Sequence, residues 1–396
     1  MQFRRYALTP LMLAAWKGGE HAEAMMRLLL DAGADANKQQ KYKTTALMVS
    51  AEKGCEHSAG MMRLLIDAGA NVNMQDMHGY TALMLSAQHG YKHGPEMMRV
   101  LLDAGADTNK YDNDTRKQYF EEGWTALMLA VEHGGQNTVE MIRLLIDAGA
   151  DINKQDDDGI TALMVITWKR VKYAKDIMEV LIDKGAYINK QDNRGKTALM
   201  DAASEGGEYA KDMMEVLLDA GTDLNMQDDR GRTALMWIAR RGSEHGVGMM
   251  HMLIDAGADA NKQDEDGWTA LIYVISYGHM HSMIYTLINT GADIDIKNKN
   301  NKTAYDIAVE KKNKIAIDIL EQYKDNWTFT WTAKNCIQLK LWSTQNIQSV
   351  RDIHTSWRRD KQSGFGNLPW VIIRDIILPM TIDRKDTVKL IKKRYY

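Results

Sequence analysis

Apolar and polar positions recur along this chain in blocks of two kinds. A short, almost wholly apolar block such as Ala82-Leu83-Met84-Leu85-Ser86-Ala87 follows a threonine, Thr81, and runs out at Gly90. A longer block follows, Glu96-Met97-Met98-Arg99-Val100-Leu101-Leu102-Asp103, whose apolar residues fall on one stripe of a helix and which stops at Gly105. A polar stretch of the type Asn-Lys-Gln-Asp-x-x-Gly then leads to the next threonine, which is turn chemistry. The pattern predicts helix, helix and a finger-like turn.

The threonine opens the first helix because its hydroxyl accepts from the free N–H groups of the first turn, and Ala-Leu-Met behind it are strong helix formers. Thr9, Thr45, Thr81, Thr125, Thr161, Thr197, Thr233, Thr269 and Thr303 mark nine copies, spaced 36, 36, 44, 36, 36, 36, 36 and 34 residues apart. The first helix is expected to close on Gly18, Gly54, Gly90, Gly134, Gly206, Gly242 and Gly278. The second closes on Gly33, Gly69, Gly105, Gly149, Gly185, Gly221, Gly257 and Gly291. A fixed period of this length means an all-α solenoid over residues 1–323, in which each copy packs only on its neighbours.

Thr9-Pro10-Leu11-Met12-Leu13-Ala14-Ala15 and the recurring Gly-Ala-Asp-x-Asn resemble the ankyrin repeat, whose signature reads Thr-Pro-Leu-His-x-Ala on a period near 33. Two departures stand out. Methionine replaces the family's histidine at Met12, Met48, Met84, Met128, Met164, Met200 and Met236, so the imidazole hydrogen bonds are missing. Seven copies also carry three extra residues between the helices, close to one helical turn, which predicts a longer second helix. The pairs Met25-Met26, Met61-Met62, Met97-Met98, Met213-Met214 and Met249-Met250 read as core filler.

The resemblance implies a non-catalytic protein-binding scaffold that meets its partner with the finger residues and the exposed turn of the first helix. The residue before each threonine varies between copies and is Tyr80, Trp124, Arg232 or Trp268 in four of them. The end of the first helix supplies Trp16, Trp168, Arg240, Arg241 and Tyr277. These nine residues are the expected partner-binding set, since Trp, Tyr and Arg dominate interface energetics. The finger of the third copy is eight residues longer, and its Tyr111, Tyr119 and Phe120 predict partner contact.

Several stretches imitate other chemistry. Gly195-Lys196-Thr197 ends like a phosphate loop, but Lys190 stands where the first glycine belongs. The acidic runs at Asp156-Asp157-Asp158 and Asp264-Glu265-Asp266 resemble calcium loops, yet Lys154 and Lys262 occupy the first ligand position. His89 with His93, and His279 with His281, lack partners at metal spacing. No catalytic, cofactor-binding or metal-binding set and no small-molecule substrate is expected. Two distant cysteines and 27 methionines suit a reducing compartment, so the expected location is intracellular, in the cytoplasm with the nucleus open. The apolar stretch reaching Trp16 matches the first helix of a copy, which argues against a secretory signal.

The ninth copy places Lys311, Lys312, Asn313 and Lys314 at apolar positions, as a terminal cap needs. Residues 324–396 hold 14 Lys+Arg against 6 Asp+Glu, a net of +8, which leaves −11 for residues 1–323 out of a total of −3. A basic, tryptophan-containing connector over 324–367 leads to two short predicted helices in 368–396. Leu368-Pro369-x-x-Ile372-Ile373 resembles the start of an F-box, an arrangement found behind ankyrin repeats in proteins of large DNA viruses. That resemblance implies binding of a cullin-type ubiquitin-ligase adaptor through Leu368, Pro369, Ile372, Ile373 and Ile376. The alternative is that the basic tail anchors the chain to nucleic acid or a membrane surface.

Overall fold

The computed structural model describes residues 8–324 except 89–91, 114–122, 134, 136, 169–172 and 279, and describes Trp168 and Glu208 by backbone alone. Two compact units divide the chain, Met1–Ala316 and Ile317–Tyr396. The segment 368–396, with its expected adaptor-binding residues, lies outside the described residues.

Helix pairs follow the nine copies. They are α1 (Pro10–Lys17) with α2 (Ala22–Asp31), α3 (Ala46–Lys53) with α4 (Ser58–Asp67), and α5 (Ala82–Gln88) with α6 (Gly94–Asp103). Next come α7 (Ala126–His133) with α8 (Thr138–Asp147), α9 (Ala162–Trp168) with α10 (Ala174–Asp183), and α11 (Ala198–Glu205) with α12 (Glu208–Asp219). Then α13 (Ala234–Arg241) pairs with α14 (Gly246–Asp255) and α15 (Ala270–Tyr277) with α16 (His281–Asn289); α17 (Ala304–Glu310) opens the ninth copy and α18 spans 314–324. First helices pack on the first helices of adjacent copies and second helices on second helices, so the core is a line of small cores threaded through the stack.

All nine threonines do what the sequence requires. Each hydroxyl accepts from the backbone N–H three residues on, at 3.2–3.4 Å. Gly54, Gly206, Gly242 and Gly278 close first helices in the left-handed conformation. The seven methionines in place of histidine are buried and fill the space between copies.

Two expectations change. Among the described residues the insertion lengthens the second helix in α12; ahead of α2, α4, α8 and α14 it forms a separate turn, closed by Ala22→Gly19, Ser58→Cys55, Thr138→Gly135 and Gly246→Ser243 backbone bonds at 2.9–3.1 Å. Glycines at Gly18, Gly54 and Gly242 end the first helix ahead of the insertion, so those three residues are left to the connection. Met25 is also not core: it is exposed with Leu13 and Leu28, whereas Val49 and Met61, the equivalents of Leu13 and Met25 in the second copy, are buried.

The fingers are tied by side-chain ladders. Asn37, Asn73, Asn109, Asn153 and Asn261 donate through Nδ2 to the carbonyls of Gly69, Gly105, Gly149, Gly185 and Gly291 in the next copy, at 2.8–3.3 Å. Their Oδ1 atoms accept from the N–H groups of Asn71, Asp107, Asp151, Tyr187 and Asp293, at 2.7 Å. Gln75, Gln155, Gln191, Gln227 and Gln263 form a second ladder to the carbonyls of Tyr111, Gln191, Gln227, Gln263 and Lys297, at 2.9–3.0 Å. Each amide satisfies backbone groups that a loop would otherwise leave to solvent.

Stacking is close enough to demand glycine at the finger tip. Gly195 has φ +71°, and a Cβ there would stand 2.8 Å from the backbone nitrogen of Asp229 in the next finger. Gly195→Ala therefore meets both a left-handed-backbone penalty and a backbone clash, and is expected to destabilise the stack by about 2 to 3 kcal/mol. Urea titration of the variant measures this; a midpoint equal to wild type would show that the fingers are not packed so tightly.

Candidate protein-interaction surface

The finger turns are organised by aspartates, two of which, Asp156 and Asp264, belong to the runs that imitate calcium loops. In each, Oδ1 of an aspartate accepts two backbone N–H groups further along the turn: Asp156 from Asp158 and Ile160, Asp228 from Arg230 and Arg232, Asp264 from Asp266 and Trp268, at 2.7–3.0 Å. These aspartates are therefore turn caps. The second oxygen of each reaches a side chain. Asp156 accepts from Trp124 Nε1 at 2.9 Å, Asp228 from Arg232 Nε at 2.9 Å and Trp237 Nε1 at 3.2 Å, and Asp264 from the Tyr273 hydroxyl at 2.6 Å.

Burial raises the Asp156 carboxyl to about 6, an effect that the Ile160 N–H and the Trp124 indole oppose only in part. A carboxylic acid whose folded value lies above its unfolded one favours folding when protonated. Its contribution to stability thus grows as pH falls from above about 6 towards 4 and is lost as pH rises through about 6. Carboxyl NMR of the chain should show one aspartate titrating near 6 that disappears in Asp156→Asn; a midpoint at or below 4 would contradict the burial.

The nine expected partner residues divide. Arg232, Arg240, Trp268 and Tyr277 come together on one face of copies six to eight, where first helices and fingers meet. The Arg232 guanidinium lies 4.0 Å from the Trp237 ring centroid, with Lys196 Nζ at 4.8 Å and the Arg240 guanidinium at 5.5 Å. Arg240 also lies 6.0 Å from the Tyr277 centroid and donates to its hydroxyl at 3.4 Å. Tyr277 stacks on Tyr273 at 6.2 Å, and Tyr273 meets Trp268 edge to face at 5.2 Å. Rings and guanidinium groups at these separations attract one another. Arg241 is exposed beside them, at the end of α13.

Tyr80 and Trp124 do not stand on that surface. Tyr80 is buried, its N–H held by Asp76, and Trp124 is fully buried among the largest core side chains. At these two fingers the residue before the threonine packs inward. Trp16 is exposed in the first copy with Lys53 Nζ 5.3 Å from its ring centroid. The side chain of Trp168 lies outside the described residues, as do Tyr119 and Phe120 of the long finger. Tyr111 is exposed there, with Lys154 Nζ 5.5 Å from its ring.

The sequence reading missed Trp237, Tyr273 and the aspartates beneath them. A signal was available in the row four residues after each threonine. It reads Leu13, Val49, Leu85, Leu129 and Val165, then changes to Asp201, Trp237 and Tyr273. Asp201 is buried and pairs with Lys196, and Asp228 pairs with Arg232 at 2.8 Å. Burial, followed by the bond to Asp264, pushes the Tyr273 hydroxyl well above the ordinary phenol range, so it stays a donor.

A family model described as ankyrin repeats (three copies) matches residues 11–112, 109–192, 135–228, 169–249 and 243–329. The chain belongs to the ankyrin-repeat family. No protein with a curated description matches it. Ankyrin repeats are generally non-catalytic scaffolds for binding other proteins, and the aromatic and basic face lies on the fingers and first helices of copies six to eight. Among the described residues no helix is long and apolar enough to cross a membrane.

Proposed function

We propose that this ankyrin-repeat protein is a target-recognition scaffold whose main binding face is that of copies six to eight. The observation that carries the reading is the Trp237 cluster: three cations lie about its ring and two tyrosines stack beside it, with Arg232 and Trp237 held by buried Asp228 and Tyr273 by buried Asp264, although the repeat itself folds with Leu or Val at the same position. Side chains held in place before binding lose less freedom on association. Residues 1–323 are taken as the recognition domain, 324–367 as a connector and 368–396 as the F-box-like element. In the finer reading that element engages a cullin-type ubiquitin-ligase adaptor through Leu368, Pro369, Ile372, Ile373 and Ile376, and the repeats choose the substrate. Its support is the Leu-Pro-x-x-Ile-Ile motif and the apolar residues Pro369, Ile372, Ile373 and Ile376, which stand at helical spacing in the sequence. The second reading, anchoring to nucleic acid or a membrane surface, is supported by the tail's net charge of +8, from 14 Lys+Arg against 6 Asp+Glu.

Affinity purification with mass spectrometry separates these. Trp268→Ala with Tyr277→Ala should lose the target protein while keeping the melting curve, because both side chains are partly exposed. Ile373→Asp should lose the ligase adaptor and keep the target, since it buries a charge at the stripe. If wild type retains no adaptor, or the variant retains as much, the ligase reading fails. Nucleic acid or lipid in place of the adaptor would favour the second reading.

A further inference from the structure

The sign of charge on the face changes along the stack. Over residues 1–323 the net charge is −11, the total of −3 less +8 for the tail. The residue before the threonine and the first helix with its cap in copies six to nine nevertheless hold Lys196, Arg232, Arg240, Arg241, Lys302 and Lys311, against Asp201, Glu205, Asp306 and Glu310. The equivalent positions of copies two to four hold Lys53 against Glu52 and Glu132. Lys196, Arg232 and Lys302 are matched by Asp201, Asp228 and Glu310 within the face. Arg241 and Lys311 are exposed, and Arg240 lies on the rings of Trp237 and Tyr277. Tyr277, half exposed, forms the rim of an open hollow of about 300 Å³ lined also by Gly278, His281, Lys311 and Asn313.

We propose that this face binds an acidic peptide segment of the target, with carboxylate side chains on Arg240, Arg241 and Lys311 and an aromatic or aliphatic anchor against Trp268 and Tyr277. The proposal rests on the reading that this face is the binding surface. The chemistry follows from what the face turns outward. The indole N–H of Trp237 and the hydroxyl of Tyr273 donate to the buried Asp228 and Asp264. Tyr273 is buried and Trp237 half-buried, so the face turns outward Trp268, Tyr277 and the guanidinium of Arg240, which lies 5.5 and 6.0 Å from the Trp237 and Tyr277 centroids and donates to the Tyr277 hydroxyl. A carboxylate accepts two parallel N–H bonds from such a group, and a guanidinium is more weakly hydrated than an ammonium. A basic segment would meet like charge at every one of these positions, which excludes it. The hollow beside Tyr277 takes one acidic side chain with Lys311 on its wall.

Fluorescence anisotropy of the full chain tests this with dye-labelled peptides in which glutamates flank a single phenylalanine, against the same peptides with lysine for glutamate. The glutamate peptide should bind at least about tenfold more tightly than its lysine counterpart, and Arg240→Glu with Arg241→Glu should weaken it by at least about tenfold. Because Arg240 touches Trp237, a second variant, Arg241→Glu with Lys311→Glu, changes only exposed side chains and should give a loss in the same direction. Charge reversal in the tail should leave the peptide bound. Binding unaltered by both face variants overturns the proposal, as does a single-stranded oligonucleotide that competes for the same arginines with equal strength. A target retained by Arg240→Glu with Arg241→Glu but lost by Trp268→Ala with Tyr277→Ala overturns the acidic chemistry while leaving the face; a target retained by both variants removes the face itself.

Discussion

Trp124→Ala is expected to destabilise the fourth copy and the finger before it by about 3 to 5 kcal/mol, the range for emptying a large buried aromatic site. The indole is fully buried and donates to Asp156. Its removal leaves a cavity and takes from the buried Asp156 carboxylate one of its donors, and the two losses add in the same direction. Thermal unfolding followed by circular dichroism measures the effect. A variant that melts like wild type would return Trp124 to the surface. The same reasoning explains why Trp124 should not be combined with Trp268 in any test of binding, since one is structural and the other half-buried beside the Tyr273 ring.

Leu163→Ala in the central α9 should cost about 2 to 5 kcal/mol, as the side chain is buried among neighbouring first helices. The shape of the transition is the more informative result. Coupling in a solenoid is between nearest neighbours, so weakening the fifth copy is expected to split one unfolding transition into two, with copies on either side unfolding separately. Tryptophan fluorescence reports both sides, through Trp124 on one and Trp237 with Trp268 on the other. A single cooperative transition shifted as a whole would show coupling that reaches beyond neighbours.

Much of this architecture was legible because it rests on local chemistry repeated nine times. Thr before Ala-Leu-Met specifies a cap in every copy, and glycine after the helix specifies its end, whatever surrounds them. The binding face was harder to read because its residues are defined by contacts between copies. Variation at the position before the threonine looked like freedom from packing, but Trp124 is buried because the neighbouring finger offers Asp156 beneath it. Trp237 read as one more apolar residue of a first helix, and only the arrangement of Lys196, Arg232 and Arg240 around its ring shows another role. The inserted residues were misread for a simpler reason. Their length suited a helical turn, but the glycine before them fixes where the first helix stops and a turn closes over the rest.

The asparagine ladder bears on how such a chain changes over generations. Each Asn spans from its own finger to a glycine carbonyl and an N–H of the next, and the same atoms meet at junction after junction. Removing the 36 residues from Thr161 to Lys196 would bring Asn153 to the position that Asn189 holds now, where Oδ1 accepts from the Asp223 N–H and the Thr222 hydroxyl. That rung would close again. The number of copies is thus open to gain and loss by recombination between near-identical stretches, with the fold preserved at each step and the binding face lengthened, shortened or moved along the stack.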